Sequence, residues 1–292
     1  MLSPHTGKHI RTLQTELPAI KTLRFKPNDK STYGSLCAIG CNGVVQQWDM
    51  KKQKVQFESA ETLDSLYCAD YTNTGDHLLT AGESKDVYMY DTTTFQQVNN
   101  FASKNMKVWN VVGICSLKSH PTDPNLFVTG GRDKSIKLYD VRMEGAYKSI
   151  SGPFVLEDNS IDIFGDMVLT GSNENTEEMK VVSLSQQILT NTFNFDINNS
   201  QFTGFVQTSG FLDNGSLVYA GGAGRNEFKV FSNDSDKPES FFDCQYSVSG
   251  FKAPVTHVVK QEDENLMFIG LRNGDVFNMK YNVKNTSDVD MD

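Results

Sequence analysis

Thr129-Gly-Gly-Arg-Asp-Lys-Ser-Ile-Lys-Leu-Tyr-Asp140 reads as the end of one short strand, a tight turn and a second short strand. The first strand, Phe127-Val-Thr-Gly-Gly131, runs from apolar to small residues. The second, Ile136-Lys-Leu-Tyr-Asp140, is apolar and aromatic and ends on a carboxylate. Both runs are too short for helices and bounded by turn formers, so the period argues for strands.

Working outward, the same two phrases recur along the chain. The first returns as Leu36-Cys-Ala-Ile-Gly40, Leu78-Leu-Thr-Ala-Gly82, Val168-Leu-Thr-Gly-Ser172, Val218-Tyr-Ala-Gly-Gly222 and Leu266-Met-Phe-Ile-Gly270. The second returns as Val45-Gln-Gln-Trp-Asp49, Val87-Tyr-Met-Tyr-Asp91, Met179-Lys-Val-Val-Ser183, Phe228-Lys-Val-Phe-Ser232 and Val276-Phe-Asn-Met-Lys280. Its end points lie 42, 49, 43, 49 and 48 residues apart. A period of about 40–50 residues with strand-like phrases marks propeller blades, each a four-stranded sheet that buries neither face alone. In the third repeat the strands a to d are expected near Ile114–Ser119, Leu126–Gly131, Ser135–Asp140 and Ala146–Ile150. The small residues of strand b are expected to lie near the axis. The aromatics of strand c (Trp48, Tyr90, Tyr139, Phe231) are expected to pack between blades.

The phrases resemble the WD-repeat family. Trp48-Asp49 is the dipeptide that names it, and Tyr90-Asp91 and Tyr139-Asp140 are variants of it. The resemblance, over about residues 9–282, implies an all-β WD-repeat β-propeller with six recognisable four-stranded blades. It also implies a role in binding proteins, as scaffold or adaptor. The family's Gly-His pair before strand a is absent, so its Asp-His-Ser-Trp hydrogen-bond network is mostly missing. The blades are therefore expected to rely on apolar packing.

The sixth repeat ends near Tyr281-Asn282 without its own strand d. His9-Ile-Arg-Thr-Leu-Gln14 reads as the strand that closes the ring. The alternative is a seven-bladed or open ring with one blade incomplete. Residues 1–284 are read as a single propeller domain and 285–292 as a short acidic tail.

The formal net charge is −9, with 38% hydrophobic residues, which affords a core and speaks against nucleic acid and acidic membranes as partners. No run reaches the roughly 20 apolar residues of a membrane helix. Five cysteines, an odd number, read as reduced thiols of a cytoplasmic or nuclear protein. Nucleophile-elbow and P-loop motifs are absent, and the five histidines have no metal-ligand spacing. Asp162 with Asp166, and Glu177 with Glu178, read as solvated turn carboxylates. No enzyme activity, cofactor or metal is expected.

By the resemblance, the b–c turns and d–a loops share one binding rim. Arg132, Arg225 and Arg272 sit in b–c turns and could grip an acidic or phosphorylated peptide in bidentate fashion. Trp109, Phe202, Tyr246 and Phe251 are expected in d–a loops nearby, since aromatics and Arg dominate binding hot spots. The stretches Asn99–Asn110 and Asp196–Gln207 read as long recognition loops. The expected function is a non-enzymatic subunit of a complex that binds a protein or peptide partner on this rim. The alternative is a structural subunit whose open ring is completed by a partner's strand or blade.

Overall fold

The computed structural model describes residues 8–29, 34–60, 65–102, 113–153, 155, 157–174, 177–195, 205–232, 242–261 and 264–281. Trp109 and Phe202 lie outside these residues.

Six antiparallel sheets follow one another along the chain. Blade one comprises Ile20–Phe25, Ser35–Gly40, Val44–Asp49 and Lys54–Ala60. Blade two comprises Leu66–Tyr71, His77–Gly82, Val87–Asp91 and Gln97–Asn100. Blade three comprises Ile114–Ser119, Leu126–Gly131, Ser135–Asp140 and Ala146–Ser151. Blade four comprises Ile161–Phe164, Met167–Gly171, Met179–Ser183 and Ile188–Phe193. Blade five comprises Phe205–Leu212, Leu217–Ala223, Phe228–Ser232 and Cys244–Val248. Blade six has three strands among the described residues, Val255–Gln261, Leu266–Leu271 and Val276–Lys280. Within each sheet the strands, here a to d, pair in chain order, and the first strands of successive blades touch one another. The molecule is a six-bladed β-propeller with strand a innermost.

This placement changes the reason for the small residues of strand b. They do not line the axis; they make room for strand a of the next blade. A Cβ on Gly171 would stand 2.4 Å from Val206 Cγ1, and one on Gly221 would stand 2.4 Å from Val255 Cγ1. Close-packed interiors have no slack for such atoms.

The strand c aromatics pack between blades. Tyr139 stacks on Phe127 at 4.6 Å and meets Phe101 edge-on at 6.3 Å. Phe231 meets Phe193 at 5.4 Å. Such pairs add about 0.5–1.5 kcal/mol beyond their buried area. Apolar packing is not the whole of it, however. The second residue of the recurring strand c phrase is lysine in three blades, and each ammonium is tied to a carboxylate of the b–c turn. Lys137 pairs with Asp133, Lys180 with Glu174 at 2.6 Å, and Lys229 with Glu227 at 3.1 Å. Lys229 also donates to Phe195 O at 3.0 Å.

The inner strand of blade one differs from those of blades two to five. Leu23 and Phe25, on strand a of blade one, are 49% and 58% exposed. The residues at the same two places in blades two to five are Ala69 and Tyr71, Leu117 and Ser119, Ile161 and Ile163, and Ser209 and Phe211. All eight are 5% exposed or less. The N-terminal segment goes part of the way to closing the ring. Leu13 and Leu17 pack on Leu36, Ala38, Trp48 and Met50, as strand d of a preceding blade would. Among its described residues the only strand-type pairing is an isolated bridge at His9, so a closing strand over His9–Gln14 is not formed. No helix among the described residues is long and apolar enough to cross a membrane.

Candidate functional site

The inner strands place a charge at one repeated position. Arg24 faces Cys37, Asp70 faces Leu79, Lys118 faces Val128 and Asp162 faces Leu169, which is the same step of each ladder. The belt alternates in sign around the axis. Arg24 Nε lies 3.8 Å from Asp70, and Lys118 Nζ lies 3.5 Å from Asp162. Lys260 Nζ reaches Asp162 from blade six at 3.7 Å. Two carboxylates also bind the next blade's backbone. Ser119 N–H donates to Asp70 and Phe211 N–H to Asp162, both at 3.0 Å. Burial alone would raise the Asp162 carboxyl, but Lys118, Lys260 and the Phe211 N–H outweigh it and hold it below the ordinary carboxylate value. Asp162 is thus a buried strand residue, not a turn residue. Only Asp166 sits in a turn, where it accepts from Ser185 N–H at 2.7 Å.

A single 3-10 turn, Asp158–Ser160, projects from the link between blades three and four onto the axis. Thr22 Oγ1 and Arg24 Nη2 of blade one donate to Asp158 Oδ2 at 2.7 and 2.6 Å. Ser116 Oγ of blade three donates to Asp158 O at 2.6 Å, and Ser209 Oγ of blade five to Ser160 O at 2.8 Å. The turn therefore plugs the channel by bonding three blades. Burial holds the Asp158 carboxyl above its ordinary value despite Arg24 and Thr22.

Above the plug, a cavity of about 310 Å³ opens on the rim of the b–c turns. Lys21, Tyr67, Arg132, Glu157 and His257 are among its lining residues. Burial raises the Glu157 carboxyl, against the pull of Lys21, Arg272 and Arg132. Arg132 also hydrogen-bonds the Cys115 thiol, whose value burial nonetheless raises. Burial and the charge of Arg24 push His257 down, so its imidazole is neutral at pH 7.

Of the residues singled out from sequence, Arg132 and Arg272 are exposed, and the charge of each pulls the Glu157 carboxyl down. Arg225 is exposed on the blade-five turn and does not line this cavity. Phe251 lies in the link before blade six, its ring 5.2 Å from Phe277 and its carbonyl accepting from Asn226 Nδ2 at 3.3 Å. Tyr246 is not a loop residue. It sits in strand d of blade five opposite Val230, exposed on the outer wall. Asn99 and Asn100 belong to strand d of blade two, and 205–207 to strand a of blade five; 103–112 and 196–204 lie outside the described residues. Lys21, Tyr67, Glu157 and His257 carried no signal in the repeat search; the first, second and fourth lie in strand a, which the two recurring phrases do not include.

The radial sheets with their recurring b–c phrases define a WD-repeat propeller, and the family model "WD domain, G-beta repeat" matches residues 103–140. That model covers one repeat of the chain. The chain is similar to the ribosome assembly protein SQT1 of Saccharomyces cerevisiae, 26% identical over 157 residues, 53% of this chain and 35% of that protein. It is also similar to a guanine nucleotide-binding protein subunit beta of Oryza sativa subsp. japonica, 24% identical over 226 residues, 74% of this chain and 58% of that one. The chain thus spans less than two thirds of both relatives. A chain in a crystal structure of a mitotic checkpoint complex superposes with a TM-score of 0.71 over 90% of this chain and 74% of that chain, at 13% identity, and shares the fold.

Proposed function

We propose that the protein is a non-enzymatic interaction scaffold that holds an acidic segment of a protein partner at the axial mouth. One observation carries this reading: Lys21 and Arg132 line the cavity on the b–c rim, and their charges, with that of Arg272, act on the Glu157 carboxylate there. Asp158 below is taken up by Arg24, so the mouth keeps an excess of cations over anions. Guanidinium groups on a rigid rim suit carboxylate or phosphate groups of a peptide. The two curated relatives are named for a ribosome assembly factor and a G-protein subunit, proteins that work among partners, which supports a scaffold role.

The test is co-purification of partners with the tagged chain and its charge-reversed variants. Arg132→Glu with Arg272→Glu is expected to weaken the recovered interaction tenfold or more, about 1.4 kcal/mol or above. Arg225→Glu is expected to change it by less than half that energy, because it stands off the mouth. Equal retention by both variants would remove the mouth from consideration.

A further inference from the structure

The mouth holds one side chain whose charge can change near neutral pH. His257, on strand a of blade six, lines the axial cavity of about 310 Å³. The elements around that cavity bring charged and titratable groups to it. Blade one brings Lys21, and Arg24 through its pair with Asp158. Blade two brings the Tyr67 phenol, and blade three the Cys115 thiol and Arg132. The link to blade four brings Glu157 and Asp158, and the b–c turn of blade six brings the charge of Arg272. Cations therefore outnumber carboxylates around the ring. Burial first, and then the charge of Arg24, disfavours a proton on the imidazole, which is neutral at pH 7 with the mouth empty.

An anion in the cavity reverses that balance. A space of this volume is about 8 Å across, roughly one Debye length at physiological salt, so a negative charge inside it acts on the ring with little screening. Both nitrogens of a protonated ring are donors, so the charged form gains an acceptor as well as a counter-charge. We propose that His257 is a further anion contact of the mouth, one that takes up a proton as the partner's acidic segment enters and releases it as the segment leaves. This rests on the reading of the mouth as an acidic-segment site and adds that its grip is coupled to pH. With the mouth empty the imidazole titrates below its ordinary value, and with an anion bound it titrates higher. Affinity therefore climbs as pH falls through the bound value and levels off below the free one. Each unit between the two values is worth at most about tenfold in affinity. The second group able to take up a proton is Glu157, whose carboxyl burial already raises.

The experiment titrates a labelled hexa-aspartate peptide, whose carboxylates stay ionised between about pH 6 and pH 8, into the full chain. Binding should be about threefold or more tighter at pH 6 than at pH 8. Calorimetry at pH 7 in two buffers of different ionisation enthalpy should show net proton uptake. His257→Gln, neutral throughout, should bring the ratio of the two affinities close to one and abolish the uptake. His257→Lys, charged throughout, should also flatten the ratio, yet bind at pH 8 more tightly than His257→Gln. Glu157→Gln should keep the pH dependence. A wild-type ratio near one, a ratio that survives in His257→Gln, or one that vanishes in Glu157→Gln overturns this proposal and leaves the acidic-segment site standing. A peptide that binds at neither pH overturns both.

Discussion

Asp162→Ala is expected to destabilise the fold by roughly 3–5 kcal/mol, the range for removing one member of a buried charge network. The carboxylate is 6% exposed and answers two ammonium groups and a backbone N–H from the next blade. Without it, Lys118 loses one of its counter-charges in a partly buried site, and the Phe211 N–H loses its acceptor. Urea unfolding at pH 7 measures the loss, and the double variant Asp162→Ala with Lys118→Met should recover part of it, since the stranded cation goes too. A double variant as unstable as the sum of its singles would show that the pair does not interact. The pH dependence has a definite sign. The folded carboxyl of Asp162 is held below its unfolded value, so its contribution is present above about pH 4 and fades as pH falls through the folded value. The gap between wild type and Asp162→Ala should therefore narrow on acidification. Asp158 runs the other way. Its folded value is raised, so protonation relieves it, and Asp158→Asn should lose less stability than Asp162→Asn.

The second large effect is expected at a glycine. Gly82→Ala should lower stability by roughly 2–4 kcal/mol, from overpacking and a strained backbone hydrogen bond. Its Cβ would stand 2.0 Å from Ser65 O and 2.8 Å from Leu66 Cα, and both are main-chain atoms that move only with the strand. Ser65 O is also the acceptor for Glu83 N–H at 3.0 Å. Gly270→Ala is the control. Its nearest neighbours would be His257 Cβ at 3.6 Å and His257 O at 3.7 Å, ordinary contacts, so no more than a few tenths of a kcal/mol should change. Thermal unfolding of the two variants side by side decides the matter. Similar melting temperatures would refute the close approach at the start of blade two.

Strands b and c could be read from the amino acids because each does the same task in each blade. The third blade's strands were expected at Ile114–Ser119, Leu126–Gly131 and Ser135–Asp140, and they stand there. Strand a hid the belt for the opposite reason. Arg24, Asp70, Lys118 and Asp162 match by being complementary, and a search for likeness passes over residues that alternate in sign. The plug escaped notice because Asp158-Asn-Ser160 looks like any polar link, and its partners Thr22 and Arg24 are far off in the chain. The mouth was half legible. The b–c turns pointed to Arg132 and Arg272, but nothing local marked Glu157 as the residue on which their charges act. Tyr246 was misplaced because the boundary of a short, half-exposed strand leaves little trace in its composition.

The plug also sets a timetable for the nascent chain. Thr22 and Arg24 of the first blade find Asp158 only 136 and 134 positions further on. At about 5–20 residues per second, the interval between synthesising the two sides of that latch is roughly 7–27 s. Throughout it, blades two and three can assemble from local hairpins while the first blade has no axial anchor. A chaperone or partner that grips the emerging protein in that window would meet Leu23 and Phe25 before the ring around them exists.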